Sequence, residues 1–205
     1  MTIQQIYEQY ILMPTLQMHQ YRVAGVAHML CLHYDNKVDA VNIVAACLLH
    51  DMGNILKFKL EMFPDFLEPQ GMDYWKKIKN EYHYKYGNDE HKATLEIAKE
   101  IFKKRNPAIN EKLNTERTLE LINAIGFSSA QYNFESIDIS RKIAAYADMR
   151  MEPHGVTSLA LRLKDGNKRF KIHKPGVGDE AFFNEMAEFL KKIEQQLFNG
   201  LEISP

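Results

Sequence analysis

The chain has 205 residues, 45% of them hydrophobic and 26% charged, with a formal net charge of −1 at pH 7. That length and balance suit one folded unit, residues 1–205, whose core needs neither disulfides nor a structural metal, and they exclude a disordered or fibrous class. The near-neutral charge gives no global attraction to nucleic acid, although Lys164, Lys168, Arg169, Lys171 and Lys174 gather in a run that reads as a solvated face.

Met1 to Tyr10 carries polar and acidic residues where a secretory signal needs a basic start and an apolar run. No stretch reaches the roughly 18 apolar residues that a membrane span requires. A cytoplasmic location is therefore expected, with no membrane partner. Cys31 and Cys47 agree with it, since both sit in apolar stretches that suit packed, reduced thiols.

From Pro14, which suits a first helical turn, Leu16, Val23, Val26, Ala27 and Leu30 recur at the three- and four-residue spacings of an amphipathic helix. After the polar break Asp35-Asn36-Lys37 a second helix is expected over residues 38–54. It is apolar on most sides and so central to the fold, with Gly53 marking its end. Residues 56–88 read as an aromatic-rich insertion, interrupted by Pro64, Pro69 and Gly71, with a short helix opening at Asp73-Tyr74-Trp75; it is expected to act as a cap or active-site loop. Its Trp75, Tyr74, Tyr82, Tyr84 and Tyr86 suit packing onto the core better than stacking on a ligand. Helices are predicted near 89–104, 115–125 and 140–149, and a C-terminal helix over 179–198. Residues 156–169 fit a short hairpin or a further helix equally well. The fold class is all-α.

The chemistry concentrates at His50-Asp51, at the end of the most apolar helix. A carboxylate buried there is costly, because the helix carbonyls add negative potential to an already desolvated charge. A divalent cation would compensate it, with neutral His50 supplying a nitrogen ligand. Without a cation, Asp51 is expected to be a source of repulsion, so that Asp51→Asn leaves the metal-free chain as stable as before or more so. Further ligands are available on elements suited to pack against this helix: His19 beside the Val23/Val26 face, and Asp148 closing the apolar run Ile143 to Ala147.

His19, then His50-Asp51, then Asp148 resembles the H…HD…D signature of the HD superfamily of metal-dependent phosphohydrolases. The contexts HQYRVAGVA, AACLLHDMGN and YADMR resemble that family's segments, and GVTSLALRLKDGNKRF is similar to the tail of many small members. The resemblance implies an HD-domain-like helical bundle that hydrolyses a phosphorylated small molecule, nucleotides among the candidates. It implies one divalent ion (Mn, Fe, Co, Ni, Zn or Mg) held by His19, His50, Asp51 and Asp148, with His50 and Asp51 catalytic and Asp51 also touching the attacking water. His91, Arg22, Arg150 and Lys57 are candidates for the substrate phosphate. Binuclear relatives of the HD-GYP type carry more histidines before the last aspartate, whereas this chain has none between His91 and Asp148. That leaves His83 and His91 as the outliers for a second metal. Two alternatives remain open: a non-catalytic metal or nucleotide sensor, and a di-iron oxygenase that needs further ligands. Oligomeric state is not legible.

Overall fold

A computed structural model describes residues 1–34, 38–104, 113–173 and 177–205. The polar break at Asp35-Asn36-Lys37 and Lys174 of the basic run lie outside the described residues. Ten α-helices are present among them: α1 Ile3–Gln9, α2 Pro14–Cys31, α3 Ala40–Leu49, α4 Met72–Tyr86, α5 Glu90–Lys103, α6 Thr115–Ala124, α7 Ala130–Glu135, α8 Ile139–Asp148, α9 Leu159–His173 and α10 Val177–Phe198. The β-structure among the described residues is one antiparallel hairpin, β1 Met151–Glu152 with β2 Gly155–Val156. The fold is an all-α, HD-like bundle. None of the described helices is long and apolar enough to cross a membrane.

Helix α3 is the hub. Its N-terminus is capped by Asp39, whose carboxylate accepts from the Asn42 backbone N–H at 3.3 Å. The buried Asn42 then ties α3 to α6, its Oδ1 accepting from the Asn114 N–H at 2.7 Å and from the Thr118 hydroxyl at 2.9 Å. Helices α2, α6 and α8 pack around α3, so Ile43, Ala46 and Cys47 are fully enclosed by Val23 and Ala27 of α2, Leu121 and Ile122 of α6, and Ile143 and Ala144 of α8. Pro14 occupies the first turn of α2, where a missing N–H costs nothing. Helix α10 closes the far side against α7, α8 and α9 through Leu190, Ile193 and Leu197.

Three regions differ from the sequence expectation. Residues 3–9, read only as an unsuitable leader, form α1, capped reciprocally by Thr2 and Gln5 and anchored by the buried Tyr7 hydroxyl, which donates to the Leu48 carbonyl at 2.8 Å. The insertion at 56–88 is mostly ordered helix: 3-10 turns at Asn54–Leu56, Leu60–Met62 and Pro64–Leu67 lead into the fifteen-residue α4, started by Gly71 at a φ of 80°. Residues 156–169 contain both options in sequence, the end of the hairpin and then the start of α9.

Candidate metal centre

Each site residue sits where a helix begins or ends near the hub. His19 lies in the second turn of α2, His50 caps the C-terminus of α3 with Asp51 directly after it, and Asp148 is the last residue of α8. Because α2, α3 and α8 pack on one another, these points converge. His19 Nε2 lies 3.3 Å from His50 Nε2, 3.1 Å from Asp148 Oδ1 and 3.6 Å from Asp51 Oδ2. His50 Nε2 lies 3.4 Å from Asp148 Oδ1 and 3.8 Å from Asp51 Oδ2. His19, His50 and Asp51 each offer an atom within 4.8 Å of the others, and Asp148 Oδ1 stands closer still to both imidazoles. The His50 ring is oriented by its own helix: Nδ1 donates to the Cys47 carbonyl at 2.8 Å, which leaves Nε2 facing the centre.

The cluster is strongly polarised. Burial opposes protonation of His50, but Asp51 and Asp148 outweigh it and carry the imidazole up to about 9. Burial would push the Asp51 carboxyl up, yet His50, Lys57 and His19 hold it below the usual carboxylate value. Asp148 is likewise opposed by burial and is held well below its ordinary value by hydrogen bonds and charge from His19 and His50. Both carboxylates are therefore charged at neutral pH, and without a cation a proton must sit between the imidazoles and the acids.

The donor set fits a divalent ion. Neighbouring ligands around a small cation with bonds of about 2.1 Å lie about 3.0–3.5 Å apart, which is the spacing of the imidazole nitrogens and of Asp148 Oδ1. Two Nε2 atoms 3.3 Å apart also face each other with repelling lone pairs unless a proton or a cation lies between them. Imidazole and carboxylate without thiolate suit the first-row metals, with Mg a weaker match.

A second layer holds the Asp51 turn. The fully buried Gln20 accepts from the Asp51 backbone N–H at 3.5 Å, and the Gly53 N–H donates to Thr94 Oγ1 of α5 at 2.9 Å. Gly53 does not adopt the left-handed conformation of a helix-ending glycine, its φ being −93°. It is needed because α5 approaches so closely: a Cβ here would stand 2.4 Å from the Glu90 carbonyl and 2.9 Å from Thr94 N.

The four metal candidates open into a cavity of about 520 Å³. Lys57 lines it, faces Asp51 and pairs with Glu90 at 3.1 Å. The other phosphate candidates do not line it. His91 donates from Nε2 to Asn123 Oδ1 at 2.7 Å, Arg22 is half-buried elsewhere on α2, and Arg150 is engaged by the Thr157 carbonyl and, at 2.7 Å, the Tyr146 hydroxyl. Their expected reach to a substrate phosphate finds no support in this arrangement, because none of the three borders the cavity and two are already engaged by other groups. His83 contacts Asn88 Oδ1 at 2.7 Å and does not line the cavity either. Trp75 and Tyr82 belong to the core, while Tyr74 and Tyr84 face solvent.

Sequence reasoning missed several lining residues: Thr15, Asn54, Lys59, Arg162 and the phenylalanines Phe58, Phe63, Phe66 and Phe127. Thr15 precedes His19 by one turn, so helical spacing could have found it, and its buried hydroxyl has no hydrogen-bond partner among the described residues. Arg162 comes from α9, far along the chain, where no local signal exists.

The family model described as HD domain matches residues 17–150, which include all four candidate ligands. No curated protein and no solved structure gives a match.

Proposed function

The chain belongs to the HD-domain family, and on that premise we propose that it is a metal-dependent hydrolase of phosphate esters, nucleotides among the candidate substrates. The observation that carries this reading is the convergence of two imidazole nitrogens and two carboxylates on the floor of an open cavity whose wall bears Lys57, Lys59 and Arg162. Such a wall suits an anionic substrate.

His19, His50, Asp51 and Asp148 would hold the cation. When bound, it supplies Lewis acidity, making hydroxide available near pH 7 and offsetting negative charge on phosphoryl oxygens. The protein's own groups do the rest. Asp51, kept ionised by its neighbours, accepts a hydrogen bond from the attacking water and orients it toward phosphorus. Lys57 stands beside it with a charge for the phosphoryl oxygens, and the Thr15 hydroxyl offers a donor that the fold leaves unused. Hydrolysis breaks the P–O bond to the alcohol, joins the water oxygen to phosphorus, and leaves the alcohol to take up a proton.

The purified protein, supplied with Mn, Co, Ni, Fe, Zn or Mg, is expected to release phosphate or alcohol from a panel of phosphomonoesters and diesters. It is expected to bind one ion per chain and to melt higher with Mn or Ni than with Mg. Metal binding without turnover of any ester would make the protein a sensor on the same scaffold, and absence of metal binding would overturn the reading altogether.

A further inference from the structure

The metal quartet accounts for only part of the cavity lining, and the rest is largely apolar, with Phe58, Met62, Phe63, Phe66, Phe127 and Met151 prominent. Phe63 and Phe66 stack with ring centroids 5.3 Å apart and an angle of 15°, and Phe58 joins them at 5.7 Å from Phe63. Across the cavity, Phe127 stacks on the buried Phe183 at 4.8 Å.

The segment that carries the first three rings sorts its side chains by kind. Leu60 and Leu67 are only 3% and 2% exposed and anchor the 3-10 turns in the core. Phe58, Phe63 and Phe66 remain half-buried and face the cavity. In α4, by contrast, Trp75 and Tyr82 are packed into the core. Ordinary core packing accounts for the leucines, for α4 and for one side of Phe58, but leaves Phe63 and Phe66 half-buried along the space above the metal centre. A stacked pair of rings, with Phe58 tilted by 38° beside Phe63 and His154 meeting Phe66 edge-on at 6.0 Å, next to a cationic and metal-ligating floor is a surface for a ligand that is anionic at one end and flat and apolar at the other.

We infer that Phe58, Phe63 and Phe66 form a stacking wall selecting phosphate esters whose alcohol carries a flat aromatic ring, an inference that rests on the phosphate-ester reading of the metal centre. The ring extends the Phe63–Phe66 stack and displaces water from their faces while the phosphoryl group meets the floor. A simple aryl group and a nucleobase share this chemistry.

The test compares methylphosphonate, phenylphosphonate and a purine nucleoside phosphonate by calorimetry on the full-length, Mn-loaded protein, with ester hydrolysis measured in parallel. Phenylphosphonate is expected to bind at least about tenfold tighter than methylphosphonate. Phe63→Ala and, separately, Phe66→Ala should reduce that ratio below about threefold with methylphosphonate affinity unchanged, which also reports an intact floor, and Phe63→Tyr should restore it. Tighter binding of the nucleoside compound than of phenylphosphonate identifies a base as the ring, and the reverse identifies an aryl group. Equal affinity for methyl and phenyl compounds, failure of either to bind, or a ratio that survives both alanine variants overturns the stacking wall. Hydrolysis of esters with no aromatic preference removes the wall and keeps the hydrolase. A preserved binding preference with no ester hydrolysed removes the hydrolase and keeps the wall.

Discussion

His50 and Asp148 end helices packed at the centre of the bundle, whereas Phe63 and Phe66 stand on short 3-10 turns held down by Leu60 and Leu67. The two regions face the same cavity. On the metal floor each functional side chain is fixed by long-range packing of α2, α3 and α8, and by backbone contacts such as the His50–Cys47 bond. On the phenylalanine wall the rings are held by one another, by the contact of Phe58 with the core and by the edge of His154 against Phe66. A hydrolase needs its ligands placed to within a fraction of an ångström, while an apolar wall needs only area and flatness, so on the proposed function the rigid part of the fold would carry the chemistry and the short turns the selectivity. Substitutions on the floor should therefore abolish function and disturb the fold, and substitutions on the wall should do neither.

The largest effect is expected at Asp51. Asp51→Asn keeps the shape but removes the charge, and should lower turnover by about a thousandfold or more and weaken metal binding. Its effect on the metal-free protein reverses the expectation drawn from sequence. A carboxylate at a helix end looked repulsive by itself, but His50, Lys57 and His19 surround it and favour its charged form. Neutralising it leaves the protonated His50 short of a partner, so the metal-free variant should melt lower than wild type, by about 2–4 °C for each kcal/mol lost. Calorimetric melting and elemental analysis check both parts. Wild-type metal content and turnover in this variant would remove Asp51 from the centre.

That reversal shows what the sequence could and could not carry. His50-Asp51 and Asp148 were legible as polar groups closing apolar helices, His19 was legible through the resemblance to the H…HD…D signature, and the central helices were legible from their 3.6-residue period. What surrounds Asp51 was not legible, since Lys57 and His19 approach it through tertiary packing. The same holds for the second layer. Gln20 carries no signal of its own in the sequence, and only its burial and its contact with the Asp51 N–H reveal that its side chain serves the Asp51 turn. That the Arg150 guanidinium is taken up by the Thr157 carbonyl was equally illegible, because the hairpin before Thr157 could not be told from a helix at 156–169. The phenylalanines were passed over because aromatic residues in an insertion usually join the core, as Trp75 does.

A second way to sharpen the contrast is pH, which acts on the floor and not on the wall. In the metal-free protein His50 titrates near 9 against an ordinary 6.5. A raised value means that His50 contributes stability fully present below about 6.5 and lost as pH rises through about 9. The lowered carboxyls of Asp51 and Asp148 contribute above their ordinary range near 3.8, and that contribution is lost in acid. The metal-free melting temperature should therefore fall between pH 6.5 and 9. Over the same range Mn affinity should rise by up to about tenfold per pH unit, because the ion needs the Nε2 lone pair that the proton occupies. His50→Gln should flatten both trends. An unchanged Mn affinity across this range in wild type would show that His50 does not ligate.

The smallest effect tests the rigidity of the floor by steric fit alone. At Gly53 the approach of α5 leaves no room for a methyl group, with backbone atoms of Glu90 and Thr94 at 2.4 and 2.9 Å from where it would stand. Gly53→Ala must push the start of α5 away from the Asp51 turn, break the bond to Thr94 Oγ1 and displace Glu90 from Lys57. The expected cost is about 1–3 kcal/mol, with weaker Mn binding because Asp51 is two residues away. Gly25 provides the matched control: it lies inside α2, and a methyl group there would meet nothing within 4 Å, so Gly25→Ala should gain about 0.5–1 kcal/mol from helix propensity and leave the metal untouched. Melting curves with and without Mn on the two variants give the comparison directly. If Gly53→Ala melts with wild type and binds Mn equally well, the Asp51 turn is not held by α5, and the rigidity assigned to the floor has to come from α3 and α8 alone.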